Sequence, residues 1–510
     1  MYCKVDLYSH HFTVSSVKPA MHAALSDFIL KQVSYTLKKQ GRKWFRVVDK
    51  VYATRSNAGN CYRFHINHFA DFKEQMRYKG ITEEFFKITK HRAVDGEEVD
   101  LIVKDEWKVR PIQVPIVDYI LEPGNIKVIS LQMGQGKTFC ALYSAAQEST
   151  RLMIQVLARF TDKWYEDIKK TYAITDDRIL RVRGLKALMK FMRKYEDQPH
   201  RNQFDVYIIS TNTWIDYIKD YEKNHETKRP KWYIPPHLFV KEFNIGQSIV
   251  DEVHMHFHWN FKVALYTNIA KVIYLSATLD DLDDEMSIKM YNVLLPKHLR
   301  RDGGVKKIYT NVISYQYDIR NIDKVKYKGD KGQYSHVIFE NSVRRNKKLY
   351  EQYLDMITEV MDTYFIEQRT EKQKALIFFG LTEMCADFRD MQQLRHSNLT
   401  VSKYTSEDDV DTLMNSDYIS STLGSSGTAI DIPHLFVCAL TVALSKSQTN
   451  LQAFGRLRDL GDSSELAPIF IFFTCVSNDK HKEYEKKKVN LLTSRASSVS
   501  HIMHDRTLIA

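Results

Sequence analysis

Cysteine is scarce and scattered. Its six occurrences among 510 residues, at positions 3, 61, 140, 385, 438 and 475, form no C-x-x-C pair. That argues against a zinc ribbon or a disulfide framework and for a reducing compartment. Long apolar runs are missing too: none approaches the length that spans a bilayer, and the polar N-terminus lacks an apolar core of signal-peptide length. The expectation is a soluble, cytoplasmic chain with no membrane partner. No fixed-period repeat is present. His254, His256 and His258 alternate as ligands on a strand face would, but carboxylate or cysteine partners on that face are lacking, so a metal is not expected there. What is present suits a globular protein. Hydrophobic content of 44% with 12% aromatics is enough for real cores, and the length allows about three domains. The net charge of +11 suits a polyanionic partner such as nucleic acid.

The chain organises around Gln132-Met133-Gly134-Gln135-Gly136-Lys137-Thr138. An apolar run, Ile126 to Leu131, reads as a short buried strand before it, and Phe139 to Ala146 read as the first turns of a helix after it. Strand, glycine turn and helix opening on Gly-Lys-Thr form a phosphate-binding loop. Glycines let successive backbone N–H groups turn toward phosphate oxygens, and the helix N-terminus adds its dipole. Lys137 would reach the β- and γ-phosphates of a nucleotide and the Thr138 hydroxyl would ligate Mg²⁺. Leu131 departs from the pattern, which wants a glycine or another small residue there.

Residues 1–100 read as an N-terminal accessory α+β module. Strands are expected over 2–8, 44–54 and 61–66, with a turn at Asn57–Asn60. A helix carries Phe69, Phe72 and Met76 and stops near Gly80. Lys38, Lys39, Arg42, Lys43 and Arg46 interleave with Tyr35, Trp44 and Phe45, a pattern suited either to phosphates and stacked bases or to a solvated basic face. From about 101 strands alternate with helices, the signature of parallel α/β layers. Val206–Ile209, Ile245–Val250 and Val272–Leu275 each run into polar residues, where open α/β sheets place their sites. A junction is expected near 300 at Asp302-Gly303-Gly304. A long helix then carries Tyr350, Leu354, Ile357 and Met361, and a second α/β set starts at Ala375–Phe379. The segment 481–510 reads as a basic, mobile tail.

The strand ending in Asp251-Glu252-Val253-His254 supplies what a phosphate loop alone lacks. Asp251 would hold Mg²⁺ and Glu252 would orient and deprotonate the attacking water. With these residues in order, the chain resembles superfamily-two helicases and translocases over about 105–465. Arg110-Pro111-Ile112-Gln113 resembles the adenine-reading motif of the Swi/Snf-like and recombination-helicase branch, and Met133 to Thr138 its phosphate loop. Lys163-Trp164 resembles the first DNA-contacting motif, and Ser276-Ala277-Thr278 the motif coupling hydrolysis to strand movement. Gly427 to Asp431 and Gln452 to Arg458 resemble the two second-lobe motifs. The front module and motif spacing are most similar to those of phage-encoded branch-migration helicases.

The resemblance implies an α/β fold of two RecA-like parallel-sheet lobes, at 101–300 and 301–480, with ATP bound between them. Gln113 would read adenine beside Arg110. Met133, Gly134, Gln135, Gly136, Lys137 and Thr138 would hold phosphates, with His254 in the acidic box. Thr138 and Asp251 would hold the metal. Gln452 and Arg456 would close the site from the second lobe. Two departures stand out: Ala429-Ile430-Asp431 replaces Gly-x-Asp, and the second arginine expected at 459 is Asp459, with Arg458 one position early. If a helix carries them, that shift turns the side chain by about 100°, so either Arg456 alone serves or Arg458 still reaches. Arg159, Lys163, Thr211 and Thr428 are candidates for nucleic-acid backbone contact, with Ser276, Thr278 and Asp431 coupling it to hydrolysis. The expected activity is that of a monomeric, ATP- and Mg²⁺-dependent DNA helicase or translocase acting on branched DNA. An RNA helicase, a duplex translocase without strand separation and a non-hydrolysing DNA-binding protein share parts of this pattern.

Overall fold

The computed structural model describes residues 3–15, 17, 19–40, 43–48, 50–55, 61–131, 135–196, 203–224, 229–276, 285–303, 308–330, 332–405, 408, 410–426, 432–460 and 466–510. By contact they divide into two units, Met1–Gly304 and Val305–Ala510.

The first unit begins with β1 (Cys3–Leu7), β2 (His11–Ser15), a helix (Pro19–Gln32) and an antiparallel ribbon of β3 (Tyr35–Gln40) and β4 (Lys43–Val48). β5 (Thr54–Arg55), β6 (Cys61–His65), the helix Phe69–Tyr78 and β7 (Phe86–Lys90) follow. A five-stranded sheet forms in the order β5-β6-β2-β1-β7. β2 is buried on both faces, with His11 and Thr13 as enclosed as Phe12 and Val14, and alternation sends the two sets to opposite sides. Phe12 and Phe64 point inward and meet Phe28 and Phe72 from the two helices, with ring centroids 5.2 to 5.8 Å apart. The expected Asn57–Asn60 turn and Arg42 lie outside the described residues, although β5 and β6 on either side of that turn do pair antiparallel.

This module is not free-standing. Tyr52 packs edge-on against Phe261 at 5.0 Å and against His258 at 4.9 Å. His11 Nδ1 lies 2.9 Å from the Thr267 carbonyl, the Ser9 amide donates to Asn268 Oδ1 at 3.1 Å, and Asn67 Nδ2 donates to the Val293 carbonyl at 2.8 Å. One continuous hydrophobic core runs through module and lobe. Each would expose aromatic surface without the other.

The first lobe adds β8 (Ile126–Ser130), β9 (Leu152–Val156), β10 (Ile179–Val182), β11 (Val206–Ser210), β12 (Gln247–Val250), β13 (Lys271–Ser276) and β14 (Arg300–Asp302). They form one parallel sheet in the order β10-β11-β9-β12-β13-β8-β14. β9, β11, β12 and β13 are buried along their whole lengths, as strands covered by helices on both faces must be. That burial explains their nearly unbroken apolar runs.

The second unit contains β15 (Asn311–Tyr317), β16 (Ile319–Arg320), β17 (Lys374–Phe379), β18 (Val401–Tyr404), β19 (Tyr418–Thr422), β20 (Leu435–Leu440), β21 (Ile469–Cys475), β22 (Ser498–Met503) and β23 (Leu508–Ile509). Seven of them make a second parallel sheet, β18-β19-β17-β20-β21-β15-β22, while β16 and β23 pair separately. The α/β class, with two parallel-sheet lobes and a small N-terminal sheet domain, is therefore as expected.

The segment 481–510, expected to be mobile, differs. It lies in the helix Asp479–Thr493 and in β22 and β23. The helix seats His481, Glu485, Lys488 and Leu492 inward, a stripe at helical spacing. The stripe is mostly polar, so composition showed only the basic outer face. Among the described residues no helix is long and apolar enough to cross a membrane.

Candidate nucleotide site

Met133 and Gly134 lie outside the described residues, so the loop is seen from Gln135 onward. Gly136 adopts φ +85°, and the helix Lys137–Glu148 starts at the next residue. A side chain would be strained at that φ and would also collide, because a Cβ there would lie 2.2 Å from Gln113 Nε2. Gln113 Nε2 and Arg110 Nη2 each donate to the Gln135 carbonyl at 3.2 Å. The Arg110 amide in turn donates to Gln113 Oε1 at 3.0 Å. Leu131, where the pattern wants a small residue, is buried against Gly303: a Cβ on Gly303 would meet Leu131 Cδ2 at 2.9 Å. Glycine at 303 accommodates the bulk at 131. Cys140 is buried in the same helix and burial pushes its thiol up to about 11, which leaves it inert packing.

The acidic pair approaches from two strands away, since β13 separates β8 from β12. β12 ends at Val250 and the chain turns sharply. The Asp251 amide donates to the Gln155 carbonyl at 3.0 Å and the Val253 amide to the Leu275 carbonyl at 3.1 Å. Glu252 takes a left-handed φ of 47°, a conformation costing on the order of 1–3 kcal/mol for a non-glycine residue. Asn260 clamps the turn by donating to the carbonyls of Val253 and Met255, both at 2.8 Å. So aimed, Glu252 Oε1 accepts from Lys137 Nζ at 2.8 Å, with the two side chains only 12% and 13% exposed. Asp251 Oδ2 accepts from the indole of Trp164 at 2.9 Å, and its Oδ1 from the Glu252 amide at 2.9 Å.

These surroundings split the two carboxylates. Burial, then the charge of Glu252, pushes Asp251 above the usual carboxylate range. Burial acts on Glu252 as well, but Lys137 and His254 outweigh it and hold Glu252 below that range. His254 Nδ1 lies 2.8 Å from Ser276 Oγ and 3.3 Å from Glu252 Oε2, and burial lowers its pKa. The histidines of the Asp251–His258 stretch do not share a strand face. Residues 251–256 are turns and His258 lies on the helix Phe257–Ala264, where its Nε2 meets the Val51 carbonyl at 2.8 Å. Among the described residues no group of three or more His, Cys, Asp or Glu could hold a metal ion.

Other expected residues fall into place unevenly. Arg159 and Lys163 are exposed beside the site, on the turn and helix after β9. Thr211 is not a surface contact: it is 3% exposed and its hydroxyl donates to the Val156 carbonyl at 3.1 Å, because it opens a helix directly beneath the strand end. Thr278, Thr428 and Asp431 lie outside the described residues. In the second unit, Gln452 lies on the helix Ser447–Phe454, which ends before Arg456 and Arg458. Arg456 occupies the turn after the helix and Arg458 the irregular segment beyond it, so helical phase does not govern their direction. Arg456 is 1% exposed, and Arg458 Nη1 donates to the Gly455 carbonyl. Trp164 as a partner of Asp251 was not anticipated, since nothing in the sequence links positions 87 residues apart.

The donor set fits a nucleoside triphosphate with Mg²⁺. Gly136 leads directly into a helix N-terminus, where first-turn N–H groups have no intrahelical partner. A buried ammonium faces it, and a carboxylate and a hydroxyl are available to a hard cation that keeps several waters.

No protein-family model matches the sequence, and no curated protein matches it. Among solved structures, the chain is similar to the helicase domain of Hef from Pyrococcus furiosus, at 12% sequence identity over 76% of this chain and 99% of that one, with a TM-score of 0.44. The architecture given above rests on the strand order of the two sheets themselves.

Proposed function

We propose that the protein is a nucleic-acid-stimulated ATPase of the helicase or translocase type. The observation that carries this reading is the contact of Lys137 with Glu252 at 2.8 Å, across the strand that separates their own. A phosphate-loop cation and a catalytic acid meet there in a nearly closed site.

Each residue has a part. Lys137 would hold the β- and γ-phosphates, and the Thr138 hydroxyl and Asp251 would hold the Mg²⁺. Mg²⁺ supplies charge neutralisation on the phosphates. Trp164 and the Glu252 amide fix the Asp251 carboxylate so that its remaining lone pairs point one way. Glu252, ionised and aimed across the sheet at the phosphate loop, is placed to orient the attacking water and take its proton. His254 and Ser276 set the rotamer of Glu252. The exposed Arg159 and Lys163, in a chain of net charge +11, favour a phosphate backbone alongside. Branched DNA is the preferred substrate under this reading, following the resemblance of the motifs.

The test is the ATPase rate without nucleic acid, with single-stranded DNA, with a synthetic four-way junction and with RNA, beside Lys137→Ala and Glu252→Gln. Stimulation by junction DNA that both substitutions abolish is expected. Stimulation by RNA alone makes the protein an RNA-dependent enzyme, and no hydrolysis under any condition overturns the reading.

A further inference from the structure

We infer that Gln113 is a strut of the phosphate loop and not a reader of the base, so that the site accepts purine and pyrimidine triphosphates with little discrimination. This inference deepens the proposed function and rests on its nucleotide-binding part. Both ends of the Gln113 amide are committed to the protein. Its Oε1 accepts the Arg110 N–H at 3.0 Å and its Nε2 donates to the Gln135 carbonyl at 3.2 Å. A primary amide keeps one more N–H and one more lone pair. Here the residue is 3% exposed, so it offers almost no surface to a ligand.

Turning Gln113 outward would break both bonds. The Arg110 amide would lose its side-chain partner, and the Gln135 carbonyl would keep only Arg110 Nη2. The loop just before Lys137 would lose a support that fits so closely that only glycine is tolerated at 136. Base reading and loop support are therefore alternatives for this one side chain, and the geometry assigns it to support. On its solvent side the motif offers Arg110, exposed and tethered through Nη2 to the same carbonyl. A guanidinium plane stacks on the face of any base. Faces differ little between bases, whereas edges carry the hydrogen-bond pattern. A site that hydrogen-bonds a substrate group rejects analogues lacking it by roughly 10⁴–10⁵-fold, and that selectivity is what should be missing.

The experiment is equilibrium competition of ATP, GTP, CTP and UTP against a fluorescent ADP on the full chain with Mg²⁺, repeated with Gln113→Ala, alongside phosphate release for each nucleotide. The expected result is four dissociation constants within about tenfold of one another, all weakened by the same factor in Gln113→Ala. A preference for ATP of about a hundredfold or more, or a loss in Gln113→Ala confined to ATP, overturns the inference while leaving the ATPase reading intact. Indiscriminate binding without hydrolysis upholds the inference and removes the ATPase reading. Failure of every nucleotide to bind removes both.

Discussion

Replacing Lys137 is the usual way to silence a phosphate loop, but here the structure requires it to weaken the fold as well. Lys137 is the cation that neutralises Glu252, and the pair is nearly enclosed, at 13% and 12% exposure. Removing one member of a buried pair strands the other charge at about 3–5 kcal/mol, whereas exposed pairs are worth about 0–1 kcal/mol. The slight exposure places Lys137→Ala at the low end of the buried range, about 3 kcal/mol. Glu252→Gln should cost less, about 1 kcal/mol, because an ammonium on a four-carbon stem can swing to water. The double variant should recover about 2 kcal/mol relative to the sum of the singles, within the range of contacting pairs. Urea or thermal unfolding without nucleotide reads this directly. At about 2.1 cal/mol/K of unfolding entropy per residue, a unit running from Met1 to Gly304 shifts by about 1.6 °C per kcal/mol, so Lys137→Ala should lose about 5 °C. Because the pair is enclosed, 0.5 M salt, a condition that screens surface charges (Debye length about 3 Å at 1 M), should barely change that loss. A melting temperature unchanged in Lys137→Ala, or strict additivity in the double variant, would refute the argument.

Three further outcomes follow from the same geometry. Trp164→Phe keeps the buried ring and removes the donor to Asp251, a charge-assisted bond worth about 1.5–3 kcal/mol; kcat should fall roughly tenfold or more with a raised Mg²⁺ requirement, and an unchanged Mg²⁺ titration would refute the role. Deleting residues 1–95 should unfold the first lobe, since Phe257 and Phe261 lose Tyr52; a truncated protein that still unfolds cooperatively at the wild-type midpoint would show the module to be separable. Burial lowers His10 and His237 from the usual 6.5 to about 4, so the folded state binds fewer protons than the unfolded state between those values. Stability is then complete above about pH 6.5 and falls as pH drops toward 4, by on the order of 3 kcal/mol per histidine; unfolding free energy measured across that window should lose about one proton of slope in His10→Asn, and an unchanged slope would count against it.

Part of the candidate site's geometry was legible in the sequence. The left-handed turn at Gly136 opens the helix that follows β8, and the acids at 251 and 252 stand directly after β12. The lobes were legible because strands buried on both faces must be apolar. What escaped depended on neighbours distant in sequence. Trp164 reads as any amphipathic-helix aromatic until Asp251 is placed beside it. Thr211 follows a strand as a contact residue would, yet the chain turns its hydroxyl inward to Val156. Gln113 fits a base-reading pattern, and only the approach of Gly136 shows that its amide is occupied. The helix over 479–493 buries Glu485 and Lys488, so its inward stripe has no apolar signature. The strain at Glu252 is set by a reversal that no propensity records.

The pairing of β22 with β15 has a consequence for synthesis. β15 is the first strand of its sheet to leave the ribosome, and its two neighbours, β21 and β22, are made about 150 and 180 residues later. At about 5–20 residues per second, residues 311–317 wait on the order of ten seconds or longer with both edges open. The first unit can complete its sheet during that interval, while the second is stalled with apolar Val312 and Ile313 uncovered. Chaperone demand, aggregation during overproduction and sensitivity to premature termination should therefore concentrate in the second lobe.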